Sequence, residues 1–270
     1  MDRVGSCSMT DSPHVTVEIT DQIGQVTMDR PEKHNAMTPE MAESIATALA
    51  DLSADDDVRC LVLTGSGGTF NTGADLAGLE GDERDEAVID SVADPLHASV
   101  RTMTSAPKPV VTGINGIVAG GGLGLALASD IAIMSEEARI QYAYPSIGLS
   151  GDGGITWLLP RLLGLRRAQR FALLNEGFDA IEAVDAGLVT EAVPGDSFDD
   201  RLAEVAAELA SGPTKAFGTI RQLLFEGANR SLDDHLRHER DGVTGLTETD
   251  DYATGVGTFF EDEEPTFTGH

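Results

Sequence analysis

Lysine is almost missing from this chain: Lys33, Lys108 and Lys215 are the only three in 270 residues. Arginine brings the basic total to 18, against 46 acidic residues and a formal net charge of −28. No basic stripe is present to displace phosphate counterions, so a nucleic-acid partner is disfavoured. Cysteine is scarcer still. Cys7 sits in the N-terminal stretch and Cys60 in a strand-like run, a pair with neither a disulfide framework nor metal-ligand spacing, so no structural disulfide and no metal site is expected. Long apolar runs are absent as well. None approaches the roughly twenty residues that cross a bilayer, and "MDRVGSCSMTDSPH" lacks the basic-then-apolar order of a signal peptide, so a cytoplasmic protein without membrane contact is expected.

What is present is enough for a folded core. With 41% hydrophobic residues, the chain can bury one large core or two smaller ones. The acids are spread through "ADDD", "GDERDE", "DSFDD" and "EDEE", which reads as a solvated acidic shell rather than an acidic tail. Such a shell repels itself in dilute salt and is screened when the Debye length falls to a few ångströms in molar salt. The composition is similar to that of proteins from salt-in halophiles.

Periodicity predicts an α/β fold. "HVTVEI", "DQIG" and "QVTMD" alternate apolar and polar residues around a turn, as a hairpin does. Thr38 as N-cap and Pro39 at the first helical position open a helix over "PEMAESIATALADL". "VRCLVLTG" and "KPVVTGING" are buried-strand runs, and "LGLALAS" followed by "DIAIMS" gives helix then strand. From about residue 196 strand signals cease, and "DSFDDRLAEVAAELASG", "PTKAFGTIRQLLFEGA" and the stretch from "SLDDHLRHERDG" onward predict consecutive amphipathic helices. The expected organisation is a flexible tail over 1–12, a core over 13–195 and a helical region over 196–270.

Two glycine-bearing loops could carry chemistry, "GSGGTFNTGADLAGL" and "NGIVAGGGLGLALASD". Glycines there let a ligand reach backbone N–H groups, which suits an anion or an oxygen that becomes one. A phosphate loop is the competing reading, but "GxxxxGK[ST]" is absent, and close helix–strand packing would equally explain the glycines. Asp152, alone between Gly151 and Gly153, reads locally either as a catalytic acid/base or as the N-cap of the helix after it. His97, in "DPLHASVRTM", reads locally as a polar pocket residue or a hydrogen-bonded core histidine. His235 and His238 lie in a charged helix and are expected to be solvated surface.

Taken together, "MDRPEKHNAMT", "GTFNTGADL", "NGIVAGGGLGLALASD", "IGLSGDGGITWLLPRLLG", "DAIEAVDAGLVTEAVP" and "EEPTFTG" resemble, in order and spacing, the crotonase (enoyl-CoA hydratase/isomerase) superfamily over about residues 13–269. The resemblance implies a spiral of ββα repeats with a C-terminal helical region that builds trimers or hexamers and covers the active site. It implies an acyl-CoA thioester substrate and no separate cofactor. The amides of Ala74 and Gly121 would hold the thioester oxygen, beside Gly120, and Lys33, His34, Ala36, Asp75 and Leu76 would line the CoA. Preorganised amides stabilise an enolate more than its ground state, each by about 3 to 4 kcal/mol.

The resemblance also separates the reactions. The two hydratase glutamates correspond here to Gly124 and Tyr144, so both are missing. Asp152 matches the single aspartate of isomerase members, including those of phenylacetyl-CoA breakdown, although Gly151 replaces their usual proline. His97 matches the water-activating histidine of the 4-chlorobenzoyl-CoA dehalogenases, with Tyr144 where that group has tryptophan. The implied activity is an enoyl-CoA isomerase with Asp152 as acid/base. Hydration of a 2-enoyl-CoA, dehalogenase-like hydrolysis, and a non-catalytic acyl-CoA- or RNA-binding relative are the alternatives. The acidic "EDEE" stands where many relatives carry a basic phosphate-binding run.

Overall fold

The computed structural model describes residues 14–261 and 264–270. The N-terminal tail with Cys7, and residues 262 and 263 of "EDEE", lie outside the described residues. β1 (Val15–Thr20) and β2 (Ile23–Met28) form the predicted hairpin. Its turn places Asp21 and Gln22 at φ of 50° and 66°, the two positive values a tight two-residue hairpin loop requires. α1 (Pro39–Ala54) opens as predicted, the Thr38 side chain accepting the Met41 N–H.

The chain then winds as a spiral. β3 (Cys60–Gly65), β5 (Val110–Ile114) and β7 (Ile131–Ser135) enter a six-stranded sheet of order β1-β2-β3-β5-β7-β10, closed by β10 (Glu191–Val193). β4 (Thr69–Asn71), β6 (Ile117–Ala119) and β8 (Arg139–Gln141) enter a four-stranded sheet completed by β9 (Gly177–Asp179). Each pair is followed by a helix, α2 (Asp85–Ser105), α3 (Gly122–Leu127) or α4 (Ile155–Leu163). The chain therefore steps from large sheet to small sheet to helix three times, the ββα spiral expected. Every residue of β3 is buried because both faces are covered. Leu61 and Leu63 face the main core with Leu49 and Leu52 of α1, while Cys60 and Val62 meet Phe198 and Leu202 across the other face. A parallel strand covered on both sides needs no polar alternation.

α5 (Leu165–Leu174) and α6 (Ala180–Ala186) precede β10, and then the chain is helical: α7 (Phe198–Ser211), α8 (Thr214–Gly227), α9 (Leu232–Gly245) and α10 (Asp250–Glu261). α7 packs on the large sheet, so the helical region begins as part of the core. Arg221 of α8 bonds Asp130 at 2.8 Å and the Met103 and Ala106 carbonyls at the end of α2, fixing the helix that carries His97. Lys108 is buried and donates to the Leu52 and Asp55 carbonyls at 3.2 and 2.6 Å, capping the end of α1. One of the three lysines is thereby committed to the fold. Among the described residues no helix is long and apolar enough to cross a membrane.

Candidate active site

Two loops meet at the floor of a cavity of about 500 Å³. Met37 forms a parallel bridge with Ala74 in which the Met37 N–H donates to the Gly73 carbonyl at 2.7 Å and the Asp75 N–H to the Met37 carbonyl at 2.9 Å. That ladder uses the neighbours of Ala74 and not the Ala74 N–H itself. Gly121 stands at the start of α3 beside it. A Cβ on Gly73, whose φ is 87°, would lie 2.9 Å from the Gly121 nitrogen. A side chain at 73 would both strain the turn and cover that amide, so the glycine keeps the second N–H open.

Asp152 lines the same cavity, on the loop that precedes α4. Gly153 and Gly154 have φ of 62° and 74°, and Gly154, not Asp152, is the N-cap of α4, with no side-chain cap hydrogen bond. The carboxylate is thus not used as a helix cap. One of its oxygens, Oδ1, meets His97 Nε2. Both side chains are half-buried, 32% and 39% exposed, enough for a substrate to reach them. Gly151 has φ of 137°, which proline cannot adopt, and a Cβ there would lie 2.4 Å from the Tyr142 hydroxyl. The departure from proline therefore matches a turn that only glycine fits.

Tyr144 lines the same cavity. Burial, and next the Asp152 charge, push its phenol well above the usual tyrosine range, with the Asp152 amide acting in the opposite direction. The hydroxyl stays protonated and neutral at physiological pH, so Asp152 has a polar but uncharged neighbour. At the other hydratase-like position the fold is sealed: a Cβ on Gly124 would lie 2.2 Å from the Gly153 carbonyl oxygen. No side chain fits between α3 and the Asp152 loop.

The walls were only partly foreseen. One face of α2 lines the cavity with Ile89, Val92, Ala93, Leu96 and His97. These fall at helical spacing, the signal that could have assigned the whole face from sequence. Ser146, Ile147 and Leu149 line the cavity as well, together with Gly120 and Leu76. Lys33, His34 and Ala36 do not line the cavity; Lys33 and His34 are exposed on the turn whose His34 carbonyl accepts from the Thr72 hydroxyl at 3.2 Å. Asp75 is committed to structure. It accepts the Ala77 N–H at 3.0 Å and Arg30 Nη1 at 2.8 Å, and these bonds hold its carboxyl below the usual range. His235 departs from expectation: its ring packs on Gly227 with Nδ1 buried and unpartnered among the described residues, whereas His238 is exposed. No group of three or more His, Cys, Asp or Glu residues placed to hold a metal occurs among the described residues.

Comparison with known proteins assigns the chain. The sequence pattern of the Enoyl-CoA hydratase/isomerase family matches residues 18–270. The 1,2-epoxyphenylacetyl-CoA isomerase of Escherichia coli is 36% identical over 249 residues, 90% of this chain and 94% of that protein. The 4-chlorobenzoyl coenzyme A dehalogenase-2 of Arthrobacter sp. is 34% identical over 232 residues, 85% of this chain and 84% of its own. The crystal structure of an enoyl-CoA hydratase from Bacillus anthracis superposes with a TM-score of 0.89 at 26% identity, covering 95% of this chain and 100% of that one.

Proposed function

The chain belongs to the enoyl-CoA hydratase/isomerase family, and from that membership we propose that it shifts a double bond of an enoyl-CoA with Asp152 as the only acid/base. In this reading the Ala74 and Gly121 amides hold the thioester oxygen of a 3-enoyl-CoA. Oδ2 of Asp152 removes a proton from the α-carbon and returns it to the γ-carbon, while the amides hold the dienolate between the two steps. His97 Nε2 bonds the other oxygen and fixes which lone pair faces the substrate. The apolar wall of Leu96, Val92 and Ile89 receives the acyl group.

The observation that carries the reading is the closure at Gly124. Syn hydration must position a water as well as move a proton, and the position from which a hydratase glutamate would do so has no room for a side chain. Asp90, the other carboxylate on the cavity lining among the described residues, is exposed. The isomerase relative supports the same choice. The test is Asp152→Asn. Turnover of a 3-enoyl-CoA should fall by roughly a thousandfold or more, with affinity for a non-reactive acyl-CoA kept within a few-fold. Retained turnover would remove Asp152 from the chemistry.

One observation favours a second reading. His97 against Asp152 is also an arrangement in which a carboxylate could attack an aryl-CoA carbon and a histidine could activate water for hydrolysis of the aspartyl ester. A dehalogenase among the relatives supports it. Halide release from a halobenzoyl-CoA, with solvent oxygen appearing in Asp152, would select this reading over isomerisation. Assembly into trimers or hexamers belongs to the proposal in either case; its support is the exposed Leu224, Leu232 and Val243 on the C-terminal helices.

A further inference from the structure

Ala143 has φ of 69° and ψ of −36°, a conformation that a residue with a Cβ rarely adopts. The Tyr144 N–H closes back on the Tyr142 carbonyl at 3.0 Å, so Ala143 is the centre of a strained three-residue turn. The turn stands immediately before Tyr144, on the cavity wall.

Such a turn persists only if its surroundings over-determine it. Asn175 does so. It follows α5 in a left-handed conformation of its own, φ 52°, which asparagine tolerates better than most residues. Its Oδ1 accepts the Ala143 N–H at 2.8 Å, and its Nδ2 donates to the Ser146 hydroxyl at 2.8 Å. Gln141 Nε2 donates to the Asn175 carbonyl at 2.6 Å and to Oδ1 at 3.0 Å. One side chain thus grips the strained segment before, within and after the turn. The same segment is tied to the Asp152 loop, because the Tyr142 hydroxyl donates to the Ser150 carbonyl at 2.5 Å.

We infer that Asn175 is a positioning residue for the active site: by clamping the turn at Ala143 it holds Tyr144 and, through Tyr142, the loop that carries Asp152. The inference deepens the proposed isomerase reading and rests on it for the kinetic effect. Asn175 is not among the residues that line the cavity, so its removal should displace the acid/base without touching the amides at Ala74 and Gly121.

The test is Asn175→Ala, alone and combined with Ala143→Gly. The single variant should lower kcat for a 3-enoyl-CoA by about 10- to 100-fold, the scale of a displacement near 1 Å, with KM changed less than about threefold. Glycine adopts the turn without strain, so Ala143→Gly should restore most of the lost kcat. A wild-type kcat in Asn175→Ala, a fall without rescue, or an equal rise in KM would overturn the inference. Amide hydrogen exchange keeps it independent of the reaction. Exchange at Tyr144 should quicken in Asn175→Ala and slow again in the double variant, and unchanged exchange there would overturn the clamp. Wild-type protein that fails to convert any 3-enoyl-CoA would refute the isomerase reading alone.

Discussion

Glycine at position 124 excludes a side chain where a second carboxylate would otherwise stand, since the Gly153 carbonyl lies 2.2 Å from the Cβ position. Introducing the hydratase-like residue should therefore damage the fold rather than convert the reaction. Gly124→Glu is expected to cost about 2 to 4 kcal/mol by overpacking and burying a charge, read as a lower denaturant midpoint, without gain of 2-enoyl-CoA hydration. A stable variant that hydrates would show that α3 and the Asp152 loop separate more easily than their packing implies. At this scale much of the site was legible. Asp152 stood out as a lone acid among glycines, Ala74 and Gly121 came from the family resemblance, and the structure brings the three to one cavity. Asn175 was not legible, because its partners Gln141, Ala143 and Ser146 lie about thirty residues away and no local pattern marks them. The partner of Asp75 was hidden for a related reason: Arg30, which its carboxylate meets in space, lies 45 residues away in sequence.

Among the elements, those with long periodic or wholly apolar runs were readable: the hairpin, α1 with its Thr38 cap, β3, β5 and β7. The strands of the small sheet, β4, β6 and β8, have only three residues each. Three residues are too few for alternation to show, and their pairing is set by one another across the spiral. The double burial of β3 carries its own prediction. Burial pushes the Cys60 thiol up to about 12, with the Asp130 charge adding to it. The fold thus favours the neutral thiol, and this contribution is complete below the ordinary thiol range near pH 8.5 and fades as pH climbs toward 12. Cys60 should accordingly resist alkylation at pH 8 to 9 until the protein unfolds, as peptide mass spectrometry would show. Alkylation at the rate of a free thiol in native protein would contradict the packing of α7 on β3.

Over the whole molecule, a net charge of −28 must coexist with the polyanionic acyl-CoA proposed as substrate. Lys33 is exposed on the turn whose His34 carbonyl accepts from Thr72, a residue of the cavity lining. Screening should therefore help twice. The unfolding midpoint should rise from millimolar to molar KCl, and acyl-CoA affinity should strengthen over the same range, the reverse of ordinary anion binding. A midpoint indifferent to KCl would contradict the acidic-shell argument. The α/β class and the helical C-terminal region were legible from periodicity and the ββα spiral only through the family resemblance, whereas the continuity of α7 with the core required the structure. The central claim is that one carboxylate moves one proton across an oxyanion-stabilised dienolate. It is tested most directly by following a 3-enoyl-CoA in D2O with wild-type protein and with Asp152→Asn. The account predicts 2-enoyl-CoA, labelled at the γ carbon only to the extent that the Asp152 proton exchanges with solvent before its return, and neither product nor exchange with Asp152→Asn. Product from the variant, or no 2-enoyl product from wild-type protein alongside hydrolysis of an aryl-CoA, would contradict it.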